Sequence, residues 1–448
     1  MDMDAYAVMK YAKSRGFDEV VSNESLYDVI YMKITNSKID SVVYKNHHSG
    51  NIFITSKKKI FTMSLPSLNE KEVKASIDHA YDHIKLLKPK EDYYGIAEGP
   101  FKYSKSNTHY DKKIENLDIS DISDIAESVI NSAQAEGAKE IAGMIRVSRG
   151  KYSLATSKNV KAEDKSTSLR ISIRVFGEHA SYQNTIASAI LSEINPEKMS
   201  GEAARMAVES NKYGKINSGS FDILYLPAPA ANLLENVNSA ACISSIETGS
   251  FLINKMNKEI ASKNLNIYDD GNHKGAINSS AFDDEGYPTQ NNEIIKNGVL
   301  KKYLHNYSTA VKYNTKSTGN AGLVEPESKT LVLEHRKKKS FEKLLKDIDK
   351  GIIITNVWYT RFSNILTGDF STMPRDLAIY VENGEKKFAI KQKNIGEIVG
   401  IRIHDNMLRM LKNIEMTSNE TIQATSWDSS DYAFVPAVLV NDVKVSTV

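Results

Sequence analysis

Three acids stand in a row at Asp283-Asp284-Glu285, inside the stretch AFDDEGYPTQNNEIIKNGVLKKYL that runs from Ala281 to Leu304. Carboxylates this close have three uses: to bind a metal, to activate a water, or to face solvent in a turn. Three ionised groups buried together repel one another and need cations or a metal to compensate. In an extended chain Asp283 and Glu285 share one side and Asp284 takes the other, so the three converge only if the backbone bends. Gly286 and Pro288 supply a bend, and the alternation that follows leads through Asn297-Gly298, a hairpin signature, into another strand. Turn stabilisation is the first reading of the acids, contact with a substrate cleft or an interface the second, and metal binding the third.

Other polar groupings invite the same weighing. Asp269-Asp270-Gly271-Asn272-His273 is rich in oxygen ligands and carries one imidazole, but it lacks the full EF-hand spacing, which favours a polar turn. Ser317-Thr318-Gly319-Asn320-Ala321-Gly322 has small residues that let backbones approach. A glycine-rich turn competes there with a ligand-contacting loop through Thr318 and Asn320. Thr367-Gly368-Asp369-Phe370-Ser371 reads as a tight turn that packs Phe370, with Thr367 and Ser371 as alternative contacts for a peptide. His79 and His83 lie four apart on one helix face, without the glutamate of an HExxH site. His273, His305, His335 and His404 are scattered through the second half; a metal centre would need the fold to gather them. Cys242, the only cysteine, sits among small residues in SAACISS and reads as a buried structural thiol.

Familiar cofactor motifs are absent from the sequence. It contains no GxxxxGK[ST] loop, no GxGxxG after a strand, no GxSxG elbow and no HExxH. A single cysteine excludes an intramolecular disulfide and any multi-cysteine metal site. The 58 basic and 56 acidic side chains leave a formal net charge of +2, which gives no electrostatic reason for nucleic-acid binding. Hydrophobic content of 41% and charged content of 25% are ordinary for a soluble globular chain. The N-terminal MDMDAYAVMKYAKSRG is acidic where a secretory signal is basic, and no stretch has the purity of a membrane span, so a cytoplasmic location without membrane contact is expected.

The elements that must position these residues divide the chain in two, as 448 residues lead one to expect. Residues 3–15, 69–87 and 119–138 have helical periodicity, the last with Ser120 or Ser123 as candidate caps. Alternation predicts strands over 26–32 and 38–44, a further hairpin over 51–55 and 59–63, and strands over 140–148, 151–156 and 167–176. Residues 89–116 read as a polar excursion. A linker helix is expected near 201–213. Beyond it come a strand, a proline turn and a helix in FDILYLPAPAANLL, and then mostly strands: KTLVLEH, GIIITNVW, LAIYVENGEKKFAIK, GEIVGIRI and FVPAVLVNDVKVST. Asn383-Gly384 is a strong hairpin turn there and Asn441-Asp442 a weaker one, with a helix around 406–414. The reading is α+β in fold class: an N-terminal α+β domain with a sheet and packed helices over 1–200, and a mainly β domain over 201–448.

The stretch DDGNHKGAINSSAFDDEGYPTQNNEIIKNGVLKKYLHNYSTA, followed by KSTGNAG, resembles the signature of the TldD/PmbA family, formerly called modulators of DNA gyrase. TGDFS, VENGEK and NMLRMLKNI resemble the C-terminal pattern of its PmbA/TldE branch. The resemblance implies a two-domain protein that assembles as a dimer and takes part in proteolysis. In this family the TldD-like subunit resembles a zinc metallopeptidase whose HExxxH motif follows a Leu-Leu pair, with a later cysteine as a further ligand. Here Leu233-Leu234 is followed by Glu235 at the first histidine position, Asn236 at the glutamate position and Ala240 at the second histidine position. No cysteine follows Cys242. Zinc needs electron-rich ligands plus an open water position, and hydrolysis needs a base at that water.

The resemblance therefore implies a noncatalytic TldE/PmbA-like subunit with no cofactor of its own. It would pair with a TldD-like HExxxH subunit that carries the zinc, help form a chamber for peptide or unfolded-protein substrates, and be able to form a homodimer in isolation. Edge-strand addition would let it hold peptide backbone with little sequence preference. Asp283, Asp284, Glu285, His305, Thr318, Asn320, Thr367 and Ser371 are the candidate cleft or interface residues. Two alternatives stand beside this: a divergent metallopeptidase built from the remaining histidines and acids, and a binding regulator of a topoisomerase or toxin.

Overall fold

The computed structural model describes residues 2–103, 108–210, 212–391, 400–425, 427 and 431–447. Six strands build the first sheet: β1 (Glu19–Thr35), β2 (Lys38–Ser56), β3 (Lys59–Leu65), β4 (Glu140–Thr156), β5 (Lys161–Phe176) and β6 (Ser181–Ser188). Their order is β3-β2-β1-β4-β5-β6, antiparallel throughout. The 19 residues of β2 make a ribbon about 60 Å long.

That length corrects the sequence reading, which broke β2 after residue 44 and β4 after residue 148. Gly50 and Gly150 had the look of loop residues. Each instead lets a neighbour come close: a Cβ on Gly50 would meet the Asn23 carbonyl oxygen at 2.3 Å, and one on Gly150 would meet the Tyr27 ring at 2.2 Å. Residues 40–47 of β2 are exposed on both sides and residues 149–153 of β4 are half-buried on both, so no apolar alternation survives there to mark the strands.

One face of this sheet is covered by helices. α1 (Ala5–Ser14) and α2 (Glu70–Ile84) set Val8, Ala12, Val73 and Ile77 against Val20, Ile52 and Ile54. After the short α3 (Lys112–Glu115), α4 (Ile119–Ala135) sets Ile122, Ala126, Val129 and Ala133 against Met32, Ile145, Leu169 and Ile171. Each of the valine, isoleucine, leucine and methionine side chains contributes about 1.5–3 kcal/mol by leaving water, and each alanine less. The cap of α4 is not a serine: Asp118 and Asp121 form a reciprocal capping box, and Ser123 bonds to the Ile119 carbonyl within the helix. α5 (Pro196–Glu209), capped by Asn195, starts earlier than expected and packs Met199, Ala203 and Ala207 into the same core.

The second half is largely β, and the fold as a whole is α+β. A 15-stranded sheet runs from Tyr213–Gly214 to Ala433–Thr447. The long last strand pairs with Gly219–Tyr225, Leu331–His335, Ile401–Asn406 and Ile414–Ala424. It passes straight through Asn441-Asp442, where a bulge and a positive φ at Asp442 replace the expected hairpin. Asn297-Gly298 and Asn383-Gly384 do turn hairpins, all four residues having positive φ. Of the expected strand GEIVGIRI, residues 396–399 lie outside the described residues, and Ile401–Asn406 is a strand. α6 (Pro227–Ala241) buries Leu233, Leu234, Val237 and Ala241 in the core of this half. No helix among the described residues is long and apolar enough to cross a membrane.

Candidate functional site

The acidic stretch is a bend. Phe282 and Pro288 face each other as an isolated bridge, and within it the Asp283 amide donates to the Tyr287 carbonyl. Asp283 Oδ1 accepts from the amides of Glu285 (3.0 Å) and Tyr287 (2.9 Å), while Oδ2 accepts from the Ala321 amide (2.9 Å). Asp283 is 1% exposed and Glu285 7%, whereas Asp284 is half-buried with the Tyr152 hydroxyl 3.5 Å away. Glu285 Oε2 accepts from the Tyr307 amide at 3.2 Å. Burial raises the pKa of both buried acids, that of Asp283 to about 7, and the charge of Asp283 pushes Glu285 up further. The bend thus ties the loop at Ala321 and the helix start at Tyr307 together through carboxyl oxygens.

A second buried carboxylate lies beside it. Asp269, on the strand Leu265–Asp270 and wholly buried, accepts from Asn238 Nδ2 of α6 (3.1 Å), the Lys329 amide (2.6 Å) and Asn320 Nδ2 (2.6 Å). Burial pushes its pKa up to about 6 against the pull of these donors. Asn320 Oδ1 in turn accepts from Asn292 Nδ2 at 3.0 Å, and Asn292 Nδ2 also reaches the Thr318 carbonyl at 2.8 Å. Thr318 Oγ1 accepts from the His305 amide at 2.8 Å. Asp283, Thr318, Asn320 and His305 therefore belong to one hydrogen-bonded body centred on the 317–321 loop.

Thr367 and Ser371 belong elsewhere. Thr367 Oγ1 donates to Asp369 Oδ2 (2.5 Å), Asn406 Nδ2 reaches the Thr367 carbonyl (2.7 Å), and Ser371 pairs with His404 in the strand ladder. They form a tight turn that buries Phe370 against Phe362. Asn238 and Asn292 were not among the sequence candidates, and Asp269 was read there as part of a polar turn. The signal for Asp269 was its place in step with Leu265 and Ile267, on the buried side of a strand.

On α6 the positions that would bind zinc do not fit it. Ala240 offers no ligand, and Asn236 Nδ2 turns back onto its own helix, donating to the carbonyls of Asn232 (2.8 Å) and Leu233 (3.3 Å). Glu235 is half-buried. Nearby Cys242 is 3% exposed, and burial together with Asp269 pushes its thiol up to about 12, far from the thiolate a metal requires. Among the described residues no three of His, Cys, Asp and Glu come together in a way that could hold a metal. The four histidines of the second half stay apart in function. His273 lies 3.2 Å from Asp270 and against Phe434; His335 Nδ1 is 3.0 Å from the Lys337 carbonyl oxygen; His404 is 3.1 Å from Ser446; and His305 is pushed down to about 4 by burial. Of the expected polar turn 269–273, Asp269 and Asp270 end a strand, and only after them does the chain turn, with the Asn272 amide donating to Asp270.

A β-rich half with α6 buried in it thus follows a six-stranded sheet backed by helices. Residues 218–447 match the PmbA/TldA metallopeptidase C-terminal domain, and residues 112–211 match the PmbA/TldA metallopeptidase central domain. The chain belongs to the PmbA/TldD family. It is 29% identical over 306 residues to an uncharacterised protein of Methanocaldococcus jannaschii, covering 66% of this chain and 70% of that protein. With the metalloprotease PmbA of Escherichia coli O157:H7 it shares 27% identity over 241 residues, 53% of this chain and 50% of PmbA, so the match spans about half the length of that relative. The crystal structure of TldE from Thermococcus kodakarensis has the same fold, with a TM-score of 0.85 at 20% identity over 98% of this chain and 99% of that one.

Proposed function

We propose that this chain is the noncatalytic, TldE/PmbA-like subunit of a peptide-degrading or peptide-processing metallopeptidase complex. The observation that carries this reading is α6, where Ala240 and a helix-bonded Asn236 occupy two of the positions of a zinc site. The zinc and its hydrolytic water belong to a TldD-like HExxxH partner in a heterodimer. Its substrates are peptides or unfolded proteins.

In this reading the chain contributes walls and a backbone template. β3 pairs with β2 only over Gly50–Ser56, so β2 from Lys38 to Ser49 has an open edge. Residues 40–47 there are all exposed, including Val42, Val43 and Tyr44. An open edge with unpaired amides and carbonyls is what an extended peptide needs to add as a strand. The network around Asp269, Asp283 and Glu285, with the buried Thr318 and Asn320, holds the 317–321 loop and the Tyr307 helix in place, and of these residues the half-buried Asp284 is left to face the chamber.

The test is reconstitution. An HExxxH subunit from the same genome is purified with and without this chain, and cleavage of an unstructured peptide is followed. Strong cleavage only in the mixture, with both chains in one complex, is the expected result; full activity of the HExxxH subunit alone, with no association, would remove the proposed role.

A further inference from the structure

The face of the first sheet turned away from its helices carries three arginines in neighbouring positions. Arg146 and Arg170 stand directly opposite each other on β4 and β5, and Arg174 lies four residues further along β5 on the same side. The structure treats them differently. Arg174 is bound to Asp376, which is wholly buried, and to Gln183 at 2.9 Å. Arg146 and Arg170 have no ion pair among the described residues.

Like charges directly opposite each other across a strand pair destabilise it. Here a third cation joins them: Tyr31 is the cross-strand partner of Arg146 on the other side, and Lys45 Nζ stands 5.5 Å from the same ring that Arg146 covers at 5.8 Å. Arg170 lies 5.4 Å over the ring of Tyr432, which comes from the second half of the chain. Tyr432 is 4% exposed, and its hydroxyl is buried with no hydrogen-bond partner among the described residues; the same holds for Nε of Arg146. Burial pushes that phenol up to about 12, and both guanidinium groups pull against the rise. Other charges on this face are answered locally, Lys33 by Asp40 at 3.3 Å. Two guanidinium groups and a buried phenol thus lie together, with the Lys45 ammonium across the Tyr31 ring on the neighbouring strand, and neither guanidinium has an ion pair among the described residues.

We infer that Arg146, Arg170, Lys45 and Tyr432 form a binding site for a carboxylate of a peptide. A guanidinium fork matches a carboxylate in two parallel hydrogen bonds, and a phenol can donate a third. The neighbours favour a peptide over a small inorganic anion: Val43 pairs directly with Tyr31, and Met144 lies two residues before Arg146, both more than 40% exposed. Lys45 belongs to the open stretch of β2, so a chain added along that edge passes beside the cations. Only the choice of a peptide as ligand rests on the function proposed above; the cation site itself does not.

The test uses the full chain and a labelled unstructured peptide with acidic side chains and a free C-terminus, followed by fluorescence anisotropy. Three further peptides separate the sources of the carboxylate: one amidated at its C-terminus, one with Asn and Gln in place of its acids, and one with both changes. The neutral peptide is expected to bind at least about tenfold more weakly than the acidic one, a difference of about 1.4 kcal/mol. Arg146→Gln with Arg170→Gln should abolish that difference while leaving binding of the neutral peptide unchanged. Arg146→Lys with Arg170→Lys should restore part of it. Melting curves check folding, and the double Gln variant is expected to melt no lower than the parent because it relieves a repulsion. Equal binding of all four peptides, no binding of the acidic peptide, or a Gln variant that discriminates as the parent does would overturn the site. Reconstituted cleavage would be unaffected by that failure, so the two ideas fall separately.

Discussion

The bend at Asp283–Glu285 and the helix α6 both stand where the family resemblance places its markers, yet they are built from opposite materials. The bend keeps ionisable side chains and hides them: Asp283 and Glu285 are buried and bonded to backbone amides. α6 keeps its shape and its burial while Asn236 and Ala240 stand at ligand positions. The contrast teaches that buried carboxylates need not mark chemistry. Here they organise loops, and the helix at the zinc-motif positions serves packing and side-chain amide contacts, Asn238 to Asp269 and Asn232 to Thr360.

Removing the carboxylate of Asp269 should have the largest effect. Asp269→Ala orphans donors from Asn238, Asn320 and Lys329, and a loss of about 3 kcal/mol or more is expected in chemical denaturation. Asn236→Ala on the other side of the comparison removes only bonds within α6 and should change stability by about 0.5 kcal/mol or less. Equal losses at the two positions would dissolve the distinction between a network and a packed helix.

An effect of intermediate size is expected at Glu285. Its folded-state pKa lies above the unfolded value, so its contribution to stability is fully present below about pH 4.5 and is lost as pH rises through the folded pKa. Glu285→Gln removes that loss. The variant should melt close to the parent at pH 4.5 and at a higher temperature than it at pH 8. His305 works in the other direction, gaining stability between about pH 4 and its usual 6.5, but it is common to both proteins and drops out of the difference. A parent and variant with parallel melting profiles would mean that Glu285 is ionised in the fold.

The smallest effect sharpens the α6 side. Glu235→His, Asn236→Glu and Ala240→His together write the HExxxH pattern into α6. Zinc content by mass spectrometry is expected to stay far below one per chain, because Cys242 precedes no second cysteine and its own thiol is held neutral.

The sequence reading placed these features with uneven success, and the reasons are physical. α1, α2 and α4 were legible because each hides one stripe of side chains, as do Val73, Ile77, Ala80 and Ile84 in α2. The hairpins at Asn297-Gly298 and Asn383-Gly384 were legible because few other residues accept their backbone angles. The continuity of β2 and β4 was not, since stretches equally exposed (40–47) or equally half-buried (149–153) on both sides lose alternation, and Gly50 and Gly150 mimic loops while serving close contacts. The bend at Gly286 could be foreseen, but the partners of Asp283 could not: Ala321 is 38 residues away in sequence. Asp269 was taken for part of a polar turn, although the alternation of Leu265, Ile267 and Asp269 pointed it inward. The pairing of Arg146 with Arg170 follows from strand register alone, which composition does not specify.

The central claim is that this chain frames proteolysis without performing it. The most direct measurement is the zinc content and peptidase activity of the isolated full chain, purified without chelator and assayed on an unstructured peptide with zinc supplied. The account expects substoichiometric zinc and no cleavage above background. One zinc per chain together with cleavage that a chelator abolishes would contradict it.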